Sequence, residues 1–183
     1  MSQDQFYSIR NFERFPFRIR QPPECDWCIP ASIEAVTKYH EPNSLTSQNE
    51  IAKAFHTKEV GFGLAHVETV LCDSVNFGWV QHFQYEDKLT NFQDLANKIE
   101  ITIRDSTPSI ISIPVGIRQW HMLVPVAYNK TYFRVYDPNP HLIGAYCDVE
   151  KGLIEAMLRD RKGAENSATD ILVLLPKTRP NQK

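Results

Sequence analysis

Ile29, Ile33, Val36 and Tyr39 recur at the spacing of one helix face, so a helix is expected over residues 28–39, ending before Pro42. Upstream, Phe15, Phe17 and Ile19 alternate with Arg14, Arg18 and Arg20 once Pro16 is set aside. That pattern fits a half-buried edge strand or an arm laid on the core, with the arginines as a solvated face. Ser47-Gln-Asn-Glu50 reads as a capping box that opens a second helix through about residue 55. A third helix is expected around Leu64, Val67, Val70 and Leu71, between Gly63 and Gly78. Alternation then marks a strand over 79–85, with Trp79, Gln81, Phe83 and Tyr85 on one side. Phe92, Leu95, Ala96 and Ile99 define a helix over 91–104, whose end is blurred by the β-branched run Ile101-Thr-Ile103.

The texture changes after that helix. Segments 108–115, 121–128 and 132–136 are β-rich and joined by short polar turns, as antiparallel neighbours are. Residues 148–161 form an amphipathic pattern with Val149, Leu153, Ile154, Met157 and Leu158 inward, and 170–175 is a closing strand. Helices first and strands second give an α+β fold, a helical half packed on an antiparallel sheet. No segment is long or polar enough to divide the chain, so 1–183 is read as one domain, with 1–14 a flexible arm and 176–183 a flexible tail.

Bulk properties narrow the functions. With 183 residues, 42% hydrophobic and 23% charged, the chain can bury an ordinary core. A formal charge of −2 gives no electrostatic reason to expect nucleic acid or an anionic membrane as partner. Four cysteines make no disulfide framework in a chain of this size and suit a reducing compartment. The first residues hold no apolar run behind basic ones, so no signal peptide is expected and the protein is placed in the cytoplasm. No apolar run approaches the roughly 20 residues of a spanning helix.

The candidate chemistry starts at Cys28, which opens the first helix. A thiol there faces backbone N–H groups that lack helical partners and the positive end of the helix dipole, and both favour a thiolate. Pro30 fits the first turn. Two other accounts of Cys28 stay open: a small buried hydrophobe, or, with Cys25 in a C-x-x-C pair, a redox centre or half a zinc site. A cysteine nucleophile needs a base and a group that orients the base. Of six histidines, His121 stands out because it opens a strand just after a turn. A hairpin around Asn129-Lys-Thr131 returns Asp137, at the end of the next strand, to the level of His121.

In that order, Cys28-Ile-Pro-Ala-Ser-Ile-Glu-Ala-Val36, His121-Met-Leu-Val-Pro-Val126 and Val135-Tyr-Asp-Pro138 resemble the papain-like cysteine peptidases. The chain is most similar to the compact group that holds the peptidase domains of bacteriocin-exporting transporters, which cut after double-glycine leaders. The resemblance covers most of residues 15–175. It implies a papain-like fold, a Cys28–His121–Asp137 triad, Gln21 as an oxyanion donor, a peptide or protein substrate, and neither cofactor nor metal. Two features depart from the family pattern: Ile29 follows the cysteine in place of Gly, and Gln21 lies seven residues before Cys28 with Pro22 and Pro23 between. The alternatives are a catalytically weak or inactive binding module on the same fold, and a deamidase or acyltransferase using the same thioester. A thioredoxin-like protein is less favoured, because in that family the second cysteine follows the Trp-Cys pair, whereas Cys25 precedes it. A zinc site from Cys25, Cys28 and two of His66, Cys72 or Cys147 lacks a second close-spaced ligand pair.

Overall fold

A computed structural model describes residues 5–23, 27–57, 79–85, 92–116, 119–141, 144–159 and 169–175. Helix α1 spans Cys28–His40 and α2 Gln48–Thr57; strand β1 is Tyr7–Ser8 and β2 Trp79–Tyr85. Helix α3 spans Phe92–Arg104, followed by β3 Ser109–Gly116, β4 Gln119–Tyr128, β5 Tyr132–Tyr136, β6 Cys147–Glu150, α4 Lys151–Arg159 and β7 Thr169–Leu175. The sheet runs β2-β7-β3-β4-β5-β6, with β1 added alongside β4. Every strand pairing among the described residues is antiparallel. This is the expected α+β arrangement, and the third expected helix, around 64–71, lies outside the described residues.

Helix α1 is the centre of the molecule. It packs against α2 and against strands β4 and β7. Its apolar stripe predicts one buried face, but all of 29–37 is buried, Ser32, Glu34 and Thr37 included. Polar groups on a helix enclosed on all sides need partners; Glu34 and Thr37 have them, and among the described residues Ser32 Oγ has none. Thr37 Oγ1 donates to the Ile33 carbonyl at 2.7 Å. Glu34 pairs with Lys38 one turn on and accepts the Gln48 N–H at 3.2 Å. The second helix starts as its sequence dictates: the Ser47 N–H donates to Glu50 Oε2 at 2.9 Å, and Ser47 Oγ accepts the Glu50 N–H at 3.4 Å.

Residues 12–20 form the arm and not an edge strand, with a 3-10 turn at Phe12–Arg14. Tyr7 and Ser8 pair with Tyr128 and Ala127, Ile9 is buried, and Phe15 packs on Tyr39 and Tyr136. The late amphipathic segment also differs from expectation. Its first residues form β6, paired with β5, and the helix begins only at Lys151. Alternation across Cys147–Glu150 is short enough to be absorbed into a helical pattern, and only pairing with β5 decides it. Ile154 is buried as expected, whereas Leu153 is exposed.

Two prolines mark where the ladder breaks step. Register shifts lie between Pro114 and Gly116 on β3 and between Pro125 and Ala127 on β4. Proline cannot donate to a ladder, so it sits in strands at edges and bulges. At the second shift Ala127 faces Arg134 while Pro125 faces Val135, so β4 carries one residue, Val126, more than β5.

Candidate active site

Cys28 is the first residue of α1, at a helix mouth as the sequence predicts, with its thiol half-buried and free. His121 lies near the start of β4 opposite Ile113 of β3. Asp137 is the first residue beyond β5. The bulge decides whether these last two can meet. Beyond it Val124 faces Tyr136, where the pairing ends, and the same register carried one step further would set Asp137 opposite Leu123. Directly opposed residues share a face, and so do residues two apart on one strand. Asp137 and His121 are therefore diagonal neighbours on one face. Without the extra residue, Asp137 would fall opposite Val124 and point away from His121.

Asp137 Oδ1 lies 2.7 Å from His121 Nε2. The same oxygen accepts the Asn139 N–H at 2.8 Å, which fixes the carboxylate within its own turn. Cys28 acts on the same ring from the mouth of α1, and both it and Asp137 favour the protonated form. Burial works against a protonated His121, but hydrogen bonds to Asp137 and Cys28 and the charges of both outweigh it, and the imidazole is pushed up to about 9. At neutral pH the ring is a cation between two acidic partners. The His121 and Asp137 side chains keep 20% and 14% of their exposure, so the group is sheltered and still reachable from solvent.

Gln21 is brought to the Asp137 side of this group through its backbone: its N–H donates to the Pro138 carbonyl at 2.9 Å. Residues 24–26, which link Gln21 to Trp27 and include Cys25, lie outside the described residues. So do His66 and Cys72, and with them the redox and zinc readings of the sequence. Among the described residues no group of three His, Cys, Asp or Glu could hold a metal ion. Cys147 stands across β5 opposite Val135. Burial raises its thiol above the ordinary value, and Asp137 and Asp148 add to that.

One participant escapes the sequence reading. Arg20, read there as part of a solvated face, is half-buried and donates from Nη1 to the Asp137 carbonyl at 3.1 Å. Its other limb donates to the Gly144 carbonyl. Its position directly before Gln21 was the available signal, and the alternation with Phe17 and Ile19 masked it. A separate cavity of about 660 Å³ opens at the far end of β4, among Tyr7, Phe92, Tyr128 and Lys151. None of Cys28, His121 or Asp137 lines it.

A central helix that starts at a cysteine, packed on an antiparallel sheet that carries a bonded His–Asp pair, is the arrangement of a cysteine-peptidase-type fold. The chain matches the model of the Peptidase_C39 like family over residues 9–155 and belongs to that family. The resemblance drawn from Cys28, His121 and Asp137 to papain-like and double-glycine peptidase domains is thereby supported at the level of family. A comparison with curated proteins gave no match. Among the described residues, no helix is long and apolar enough to cross a membrane.

Proposed function

We propose that the chain is a thiol hydrolase that cleaves a peptide or isopeptide bond of a peptide or protein substrate, with Cys28 as nucleophile, His121 as acid and base, and Asp137 orienting His121. The observation that carries this reading is the bonded pair of Asp137 Oδ1 and His121 Nε2 at 2.7 Å, on a ring that Cys28 at the mouth of α1 also acts on. His121 already holds its proton as an imidazolium, and sulfur reacts as the thiolate beside it. Sulfur attacks the substrate carbonyl carbon, and the carbonyl π pair moves to oxygen. The Cys28 backbone N–H, one of those a helix start leaves without an intrahelical acceptor, and the Gln21 amide stabilise that oxyanion. Collapse breaks the C–N bond, and the amine leaves with the His121 proton. Neutral His121 then takes a proton from water, whose oxygen attacks the thioester, and the acid product leaves as the thiol reforms. The reaction needs no cofactor. Free thiols suit a reducing compartment such as the cytoplasm.

A peptide library derived from a digested proteome, incubated with the wild-type protein and with Cys28→Ala, tests the reading by mass spectrometry. New peptide termini that depend on Cys28 are expected. Glutamine side chains converted to glutamate, with no new termini, would make the protein a deamidase. Library peptides retained by both proteins without any chemical change would make it a binding module on the same fold.

A further inference from the structure

Asp137 has no strand ladder to hold it. It follows the last residue of β5, and the loop beyond it runs to β6 at Cys147. A carboxylate that must meet an imidazole within a few tenths of an ångström needs its backbone fixed as well as its side chain. The turn contact from the Asn139 N–H fixes the carboxylate relative to its own loop. It does not fix the loop relative to α1, which carries Cys28.

We propose that Arg20 is the positioning residue that performs this second task, clamping the Asp137 loop to the helices that hold the nucleophile. This inference rests on the hydrolase reading above. Arg20 Nη1 reaches the Asp137 carbonyl at 3.1 Å, and Nη2 reaches the Gly144 carbonyl, so one planar fork grips both ends of the loop. The guanidinium lies over the Tyr136 ring at 5.6 Å, and the Tyr136 hydroxyl donates to the Ile19 carbonyl at 2.7 Å, which holds the arm from both sides. The next residue adds a third tether, the Gln21 N–H to the Pro138 carbonyl at 2.9 Å. On the opposite side, Gln48 Nε2 donates to the Arg20 carbonyl at 2.9 Å, and the Gln48 N–H donates to Glu34 on α1. A continuous run of contacts therefore joins α1, α2, the arm and the Asp137 loop, with Arg20 at the junction. A lysine in its place could reach one carbonyl at a time.

The ring protonation of His121 reports the alignment directly, because Asp137 and Cys28 are what raise it. The experiment is an NMR pH titration of the His121 ring in wild type, Arg20→Gln, Arg20→Lys and Asp137→Asn, with thermal melting of each. In Arg20→Gln the midpoint is expected to fall by about one unit or more toward 6.5, with Arg20→Lys between it and wild type. Should Arg20→Gln fail to fold, Arg20→Lys alone carries the test, and a midpoint equal to wild type in it overturns the clamp. An unmoved midpoint in a folded Arg20→Gln protein, beside a lowered one in Asp137→Asn, overturns the role of Arg20 and leaves the pairing intact. An unmoved midpoint in Asp137→Asn as well overturns the pairing on which both readings rest.

Discussion

Asp137 shares a face of the sheet with His121 because β4 carries one residue, Val126, more than β5, and from that position its Oδ1 lies 2.7 Å from the ring. The site is thus set by a break in the ladder and not by regular pairing. The imidazole held between Asp137 and Cys28 has consequences that can be measured.

Stability should fall as pH rises through the titration of His121. Its folded value, about 9, lies above the unfolded value near 6.5. Between the two, the folded state binds the proton more tightly, so the contribution is complete below about pH 6.5 and is lost on approaching pH 9. The shift corresponds to about 3 kcal/mol at most. Urea unfolding at pH 6 and pH 9 should show this loss in wild type and much less of it in His121→Gln. Equal losses in the two proteins would mean that the ring is not held as a cation.

The two free thiols among the described residues should differ in reactivity. Cys147 is raised by burial and by Asp137 and Asp148, which keep its thiol protonated at neutral pH. Limited iodoacetamide treatment at pH 7, followed by peptide mapping, should label Cys28 at least about tenfold faster than Cys147. Faster labelling of Cys147 would remove Cys28 from the role of nucleophile.

The capping box at Ser47 offers a control remote from the chemistry. Ser47→Ala removes the acceptor for the Glu50 N–H and should cost about 1 kcal/mol, or roughly 2–4 °C of melting temperature in a domain of this size. Differential scanning calorimetry reads the shift. A drop several times larger would show that Ser47 does more than cap α2.

Much of this molecule was legible from local pattern. The helix opening at Cys28, the Ser47–Glu50 box and the hairpin between β4 and β5 follow from spacing and turn chemistry that act within a few residues. Three features were not. The full burial of α1 is a tertiary outcome, because Ser32, Glu34 and Thr37 look like a polar face until α2 and the sheet close over them. Strand β6 exists by virtue of its pairing with β5. The contacts of Arg20 reach 117 residues along the chain to Asp137, and no local alternation carries such information. The bulge at Val126 lay between: Pro125 within a strand-like run was the visible sign that the ladder would slip there.

The central claim, that Cys28, His121 and Asp137 act as one unit, is tested most directly by the pH dependence of Cys28 alkylation. Wild type, His121→Ala and Asp137→Asn are treated with iodoacetamide from pH 5 to pH 10, with thermal melting confirming that each is folded. The account predicts that His121→Ala slows alkylation at pH 6.5 by about tenfold or more, since the imidazolium partner keeps such a thiol ionised. Asp137→Asn should slow it by a smaller factor, since that change disturbs orientation and tautomer without removing the ring. A wild-type rate that rises only through about pH 8.5, as for a free thiol, and is the same in all three folded proteins, would contradict it.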